Sequence, residues 1–361
     1  MRIINIAEQP NFGAGEIFHW IADRADPGIE WTHFSTVQHP WLIKIKRPYL
    51  ARYMTIFCAI WSAKKTPVDL IVSHGTLMAI WVGMIKRLLG VKTRHLAWSF
   101  TLPYYNDKNR IRNALMRFGT QDIDRFIMYS VVETRNSPEY LQLPADRFRM
   151  IPWSMNEPEV NKTSNPEIKG HYIAAMGREG RDYPTLIQAM THLPDIKLVI
   201  VASPENLMDI DIPENVEVRT NIPYEQAMNI AWHADFMVLP LLSDTIPCGH
   251  GSLLAQFLLD KATIVTDSIA MEGYSFPGEN VRVYQAQNPD SLTAQIKSLW
   301  EHPEQARQLS EKARNFAETR CSEASTIEYF HRYLHENNLL PTPPINRPSD
   351  SAIPQQDAIT G

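Results

Sequence analysis

The residues best suited to chemistry gather around a glycine loop. An apolar run, Phe236 to Leu242, leads into a loop that holds Asp244, Pro247, Gly249 and Gly251. Leu253, Leu254, Phe257 and Leu258 then recur at helical spacing, and Lys261–Asp267 supplies the next apolar run. This predicts a buried parallel strand, a loop, a helix beginning at Ser252 and a further strand. Such a helix start presents unpaired N–H groups and the positive end of the helix dipole, which suits a phosphate or diphosphate. Glycines allow the anion to approach closely. A plain strand-to-helix crossover has the same pattern. Arg178 and Arg181 follow another apolar run, Tyr172–Met176. Guanidinium groups grip phosphate oxygens in pairs, so both arginines are candidates for the same anion, with surface ion pairing as their other use.

A second kind of chemistry needs a group near neutrality. His74 lies at the polar tip of the buried strand read over Val68–Thr76. In open α/β sheets ligands bind beyond the carboxyl ends of the strands, and imidazole titrates near neutral pH. His74 is therefore the leading candidate to orient or deprotonate a hydroxyl, against a purely structural histidine. His250 lies in the glycine loop, in reach of a sugar or phosphate there; His39 and His95 are weaker candidates. Asp-x-Asp occurs at 122–124 and 209–211, leading into a strand and lying in a loop, and Cys58, Cys248 and Cys321 lack paired spacing. No metal and no cofactor are expected.

These residues need a scaffold of alternating strands and helices. The 361 residues favour two domains of ordinary size, and 44% hydrophobic content gives each a core. A net charge of −5 and a pI near 6.2 do not point to nucleic acid. Lone cysteines fit a reducing cytoplasm. With no signal-peptide pattern and no apolar run long enough to span a bilayer, a cytoplasmic location is expected. The strand Ile3–Ala7 runs into a loop with Gly13 and Gly15, but Phe18 stands where a dinucleotide fingerprint needs a third glycine. That argues against dinucleotide binding. It leaves Gly13 either in a loop facing an interdomain cleft or in a tight turn. Residues 41–65 mix aromatics and cations, including Trp41, Lys44, Arg47, Arg52, Trp61 and Lys65. They read as a helix at an anionic membrane face or as a solvated helix packed on the sheet. Residues 157–170 are polar with two prolines and read as a linker. Residues 340–361 read as a disordered tail.

Four segments carry a resemblance. They are Ala175–Ala189 with its Gly177-Arg178 start, the 237–267 stretch ending in Lys261-Ala262-Thr263-Ile264-Val265, Gly278-Glu279-Asn280, and Pro289 through Arg314. Together with Ile151-Pro152-Trp153 they resemble the large retaining glycosyltransferase family numbered four. That resemblance implies an α/β chain of the GT-B type, two Rossmann-like domains facing a central cleft. It implies an amino-terminal acceptor-side domain over 1–156 and a nucleotide-sugar-binding domain over 171–322. A last helix, 323–339, would pack back on the first domain. The implied activity is metal-independent, retaining transfer of a sugar from a UDP- or GDP-linked donor to a hydroxyl of a glycan, lipid-linked or small-molecule acceptor. His74 and Asp244 would be catalytic, Asp244 falling near the first of two glutamates that flank the donor sugar in the family. Gly13, Arg178, Arg181, Gly249, His250, Gly251, Ser252 and Glu279 would bind the donor. Two departures stand out: Ala255 occupies the second glutamate position and Asn156 replaces a usual aspartate. They leave the donor's identity open and keep alive a non-catalytic nucleotide-sugar-binding relative; a nucleotide-sugar epimerase or phosphorylase on the same layout is the other alternative.

Overall fold

The computed structural model describes residues 1–7, 28–39, 48–102, 109–243 and 246–340. Gly13, residues 41–47, Asp244 and the 341–361 tail therefore lie outside the described residues.

The chain forms two parallel six-stranded sheets, the cores of two Rossmann-like domains. The first contains β1 (Arg2–Ala7), β2 (Glu30–Ser35), β3 (Leu70–His74), β4 (Arg94–Trp98), β5 (Arg125–Met128) and β6 (Phe148–Met150) in the order β2-β1-β3-β4-β5-β6. Helices α1 (Pro48–Lys65), α2 (Thr76–Leu88), α3 (Arg110–Thr120) and α4 (Val131–Leu141) connect successive strands after β2. Strands buried on both faces read as unbroken apolar runs, as Leu70–Val72 does. Side chains alternate across the sheet. Ala97 joins the core with Ile80, Met116 and Phe126, while Leu96 and Trp98 join the opposite core with Ile3 and Leu70.

The second sheet contains β7 (Ile173–Met176), β8 (Leu198–Ala202), β9 (Val216–Thr220), β10 (Met237–Leu239), β11 (Thr263–Thr266) and β12 (Arg282–Tyr284) in the order β12-β11-β10-β7-β8-β9. Its helices are α5 (Tyr183–Thr191), α6 (Tyr224–His233), α7 (His250–Leu258), α8 (Pro289–Glu301) and α9 (Pro303–Arg320). Two boundaries differ from the sequence reading. The strand before the glycine loop is only Met237–Leu239, because the chain turns at Pro240, which has no N–H for a ladder. The helix after the loop begins at His250 rather than Ser252, with Gly249 as its left-handed cap.

A last helix, α10 (Glu323–Glu336), returns to the first domain. Its Phe330, Tyr333 and Leu334 are buried with Ile3, Leu70, Leu96 and Trp98. Residues 157–170 lie on the second domain: Ile168 is buried among Tyr172, Val199 and Ile230, and the Glu167 N–H donates to Asn229 Oδ1 at 2.9 Å. The domains meet around Tyr274. Its hydroxyl accepts from the Trp153 N–H at 2.9 Å and donates to the Tyr129 carbonyl at 2.8 Å. Beside it, a Cβ on Gly273 would fall 3.0 Å from Met150 and 3.2 Å from Val131. That glycine lets the two domains approach.

Candidate functional site at two crossover points

Each sheet has one place where the strand order reverses, and ligands of such sheets bind there, beyond the carboxyl ends. In the second sheet the reversal lies between β7 and β10. The loop after β7 carries Gly177 through Arg181, and the loop after β10 runs to α7. Arg181 joins them. Its Nη2 donates to Ser252 Oγ at 2.8 Å, its Nη1 to the Glu179 carbonyl at 2.8 Å and its Nε to the Met176 carbonyl at 3.3 Å. Gly177, at φ 137°, makes this fold-back possible, because a Cβ there would fall 2.4 Å from Arg181 Nε. The guanidinium is half-buried and pairs with no carboxylate among the described residues. Burial first of all lowers its pKa, against weaker opposing charges. A partly buried cation without a counter-ion is costly until an anion arrives.

The start of α7 completes this corner. No side chain caps the helix, and its first N–H groups have no intrahelical acceptor. Gly249, at φ 82°, brings the chain against Leu241, 2.9 Å from where a Cβ would stand. Gly251 faces open space, with nothing within 4 Å of an added Cβ. The structure thus brings together Arg181, Gly249, Gly251 and Ser252. Arg178 turns elsewhere: it is exposed and its Nε donates to Ser203 Oγ at 2.8 Å, next to β8. Glu279 is exposed on the turn that enters the amino end of β12, and strand polarity sets that turn at the opposite end of the sheet from the carboxyl tips. Asp122 and Asp124 are occupied by structure: Asp122 pairs with Arg87 at 3.9 Å, and Asp124 accepts from the His95 N–H at 2.7 Å.

His250 belongs to the cleft instead. Its Nε2 donates to the Ala270 carbonyl at 3.0 Å and its ring lies 4.5 Å from that of Tyr274. Burial lowers its pKa. His250 lines a cavity of about 890 Å³ between the domains, together with Tyr129, Ser130, Glu133, Tyr140 and Trp153. Glu133 is the residue the sequence reading missed. Ser130-x-x-Glu133 has the spacing of a capping box, and Ser130 Oγ does accept from the Glu133 N–H. The carboxylate, however, accepts from the Leu102 N–H at 3.0 Å, on the loop after β4. Burial pushes its pKa up to about 6. Raised carboxyl pKa values in clefts mark functional candidates.

In the first sheet the reversal lies between β1 and β3. There His74 Nε2 donates to Asn5 Oδ1 at 2.7 Å, and Asn5 Nδ2 donates to His33 Nδ1 at 3.2 Å. Burial, with a smaller push from His33, drives the His74 pKa down to about 3. A histidine held neutral this firmly is a weak base. His95 is a core residue, fully buried, with Nε2 bonded to Ser73 Oγ at 2.7 Å.

No family model and no curated protein matches the chain. Solved structures do. The glycosyltransferase from Rickettsia africae ESF-5 superposes with a TM-score of 0.66 at 13% identity over 93% of this chain and 98% of that one. Anabaena HepE in complex with UDP gives 0.69 at 11% identity over 93% and 100%. The lipopolysaccharide outer core galactosyltransferase WaaB gives 0.63 at 13% over 93% and 100%. The chain has the GT-B fold. Both six-stranded sheets fall within that likeness, which at such identities speaks for architecture. In GT-B terms, the Arg181–α7 corner belongs to the carboxyl-terminal domain, and the Glu133 wall of the cavity to the amino-terminal one.

Proposed function

We propose that the protein is a glycosyltransferase that moves a sugar from a nucleotide-activated donor to an acceptor hydroxyl. One observation carries this reading: a partly buried guanidinium with no carboxylate partner among the described residues, bonded to Ser252 at the start of α7. The donor diphosphate would lie against Arg181, Ser252 Oγ and the first N–H groups of α7. As the bond between the sugar carbon and the phosphate oxygen breaks, negative charge grows on the leaving diphosphate, and fixed cationic donors stabilise that state more than the bound donor. Arg178, one turn away on the Ser203 side, would add charge at the rim. The acceptor would occupy the cleft cavity, with the Glu133 carboxylate taking a hydrogen bond from its hydroxyl. His74, neutral on Asn5, positions groups through hydrogen bonds and does not remove a proton. Asp244 and Gly13 keep the roles the family resemblance gives them, next to the donor.

A uridine diphosphate donor is favoured over a guanosine one, because HepE was solved with UDP and with UDP-glucose. Titration calorimetry with UDP and GDP, followed by turnover with UDP-sugars, tests the reading. Tight UDP binding with sugar transfer supports it. Activity abolished by EDTA and restored by magnesium would overturn the metal-free scheme. Ala255 favours a second reading, a non-catalytic nucleotide-sugar binder: a half-buried alanine stands in α7 at the position of the family's second glutamate. Saturable UDP-sugar binding without transfer or hydrolysis would select it. A new nucleotide sugar formed without acceptor would select the epimerase.

A further inference from the structure

Charge is divided unevenly along the chain. Residues 31–121 hold fourteen Lys and Arg against two Asp, a net +12 within a protein whose total is −5, so the remainder carries −17. In the fold this basic segment builds one layer, α1, α2 and α3, packed side by side on one face of the first sheet. The α2 and α3 backbones touch where Gly83 faces Gly119, a contact that any side chain would break.

The outer surface of that layer is apolar where a solvated helix should be polar. On α1, Leu50, Met54, Phe57 and Trp61 are between 40% and 48% exposed. Their spacing of four, three and four residues places them in a single stripe. The opposite side of the same helix, Ile56, Ala59, Ile60 and Ala63, is already buried in the core. On α3, Ile111, Leu115 and Phe118 form a second stripe, between 38% and 77% exposed. Scattered exposed hydrophobics are ordinary, but two apolar stripes on helices of one layer, flanking α2, mark a docking surface.

Cations are interleaved with these rings. Lys65 and Lys64 lie 5.5 and 5.9 Å from the Trp61 ring, and Arg87 lies 4.8 Å from that of Phe118. Among the described residues Lys64, Lys65, Arg110 and Arg112 form no ion pair. No helix among the described residues is long and apolar enough to cross a membrane. Aromatic and aliphatic stripes flanked by unpaired cations suit the interface of an anionic bilayer, into which the apolar side chains insert while the ammonium groups stay at the phosphates.

We infer that the outer faces of α1 and α3 form one docking surface for an anionic lipid bilayer. The inference does not depend on the nucleotide site, and its test involves no sugar transfer. Flotation of the full chain is measured with phosphatidylcholine vesicles and with mixed phosphatidylcholine–phosphatidylglycerol vesicles, at low and high salt. Binding is expected only to the mixed vesicles and should weaken with salt. Lys64→Gln with Lys65→Gln should lower partitioning about thirtyfold, since each such cation contributes about 1 kcal/mol at an anionic surface. Phe57→Ser with Trp61→Ser, and separately Leu115→Ser with Phe118→Ser, should each reduce binding at unchanged salt. Melting curves check the fold, and the lysine pair, being exposed, keeps the test informative if an aromatic variant unfolds. No binding by the folded protein, or equal binding to neutral vesicles, overturns the inference. So does a concentration-dependent dimer without lipid that the stripe variants abolish, which would make the face a contact between copies.

Discussion

The two crossover points share a layout but differ in chemistry. Both lie beyond the carboxyl tips of a parallel sheet, where the strand order reverses. At the β1/β3 point, three side chains, His33, Asn5 and His74, bond in a row across three strands. At the β7/β10 point, one guanidinium bonds to backbone carbonyls and a serine. The first point is organised around hydrogen bonds between side chains, the second around a partly buried guanidinium. The topology supplies the place; the residues at the strand tips decide what can bind there.

Removing Arg181 should open the widest gap between the two points. Arg181→Ala is expected to weaken nucleoside-diphosphate binding and to cut turnover about 10²–10³-fold, the usual cost of losing one such donor, about 2.7–4 kcal/mol. Calorimetry and steady-state kinetics check this, and unchanged values would place the diphosphate elsewhere. The same comparison can be broken from the backbone side. Gly177→Ala puts a methyl 2.4 Å from Arg181 Nε at a φ of 137°, so the guanidinium must leave its seat. Affinity for UDP should fall about tenfold through lost charge-assisted hydrogen bonds, while Gly251→Ala, facing open space, should fold normally.

His74→Gln probes the other point and should be milder. Turnover is expected to fall about threefold to tenfold, the range of one hydrogen bond, with UDP affinity unchanged. The fold's response to acid is diagnostic. Because the His74 pKa is depressed from 6.5 to about 3 in the fold, the unfolded chain takes up the proton first. Its contribution to stability is present above pH 6.5 and is lost as pH falls towards 3. His74→Gln should flatten the melting temperature over that window, and a parallel pH profile would sink the assignment.

Glu133→Gln should produce the smallest effect, and one of opposite sign. With a pKa raised from 4.5 to about 6, this carboxyl lowers stability as pH rises from 4.5 to 6. Allowing for its partial exposure to solvent, the amide should stabilise the protein by about 1 kcal/mol at neutral pH. The acceptor KM should rise while UDP affinity stays put. A fall in both stability and UDP affinity would reassign Glu133 as structural.

Much of this architecture is legible in the sequence. Leu70–Val72 and Phe236–Leu242 are continuous apolar runs because both faces of a parallel strand are covered, and the glycine loop before Leu253 announces a strand-to-helix turn. Arg181 is legible as a phosphate candidate from its place after a strand. Arg178 has the same type and neighbourhood, yet the fold bonds it to Ser203. Glu279 was drawn in by likeness of a short segment, and strand polarity sets it at the other end of the sheet. Glu133 escaped the sequence reading, since its spacing from Ser130 is that of a local cap, and only the fold brings the Leu102 N–H of another loop to its carboxylate.

The sequence alone determined the alternation of strands and helices, the division into two halves and the uneven charge, because periodicity, turn residues and composition are properties of neighbours along the chain. Only the tertiary structure decided which tips share a crossover point, that Gly177 clears room for Arg181, that burial holds His74 neutral, and that the Leu50–Trp61 stripe faces outward. Each of these depends on residues distant in sequence meeting in space. Burial and hydrogen bonding between such residues set a group's charge, and a local pattern does not contain them.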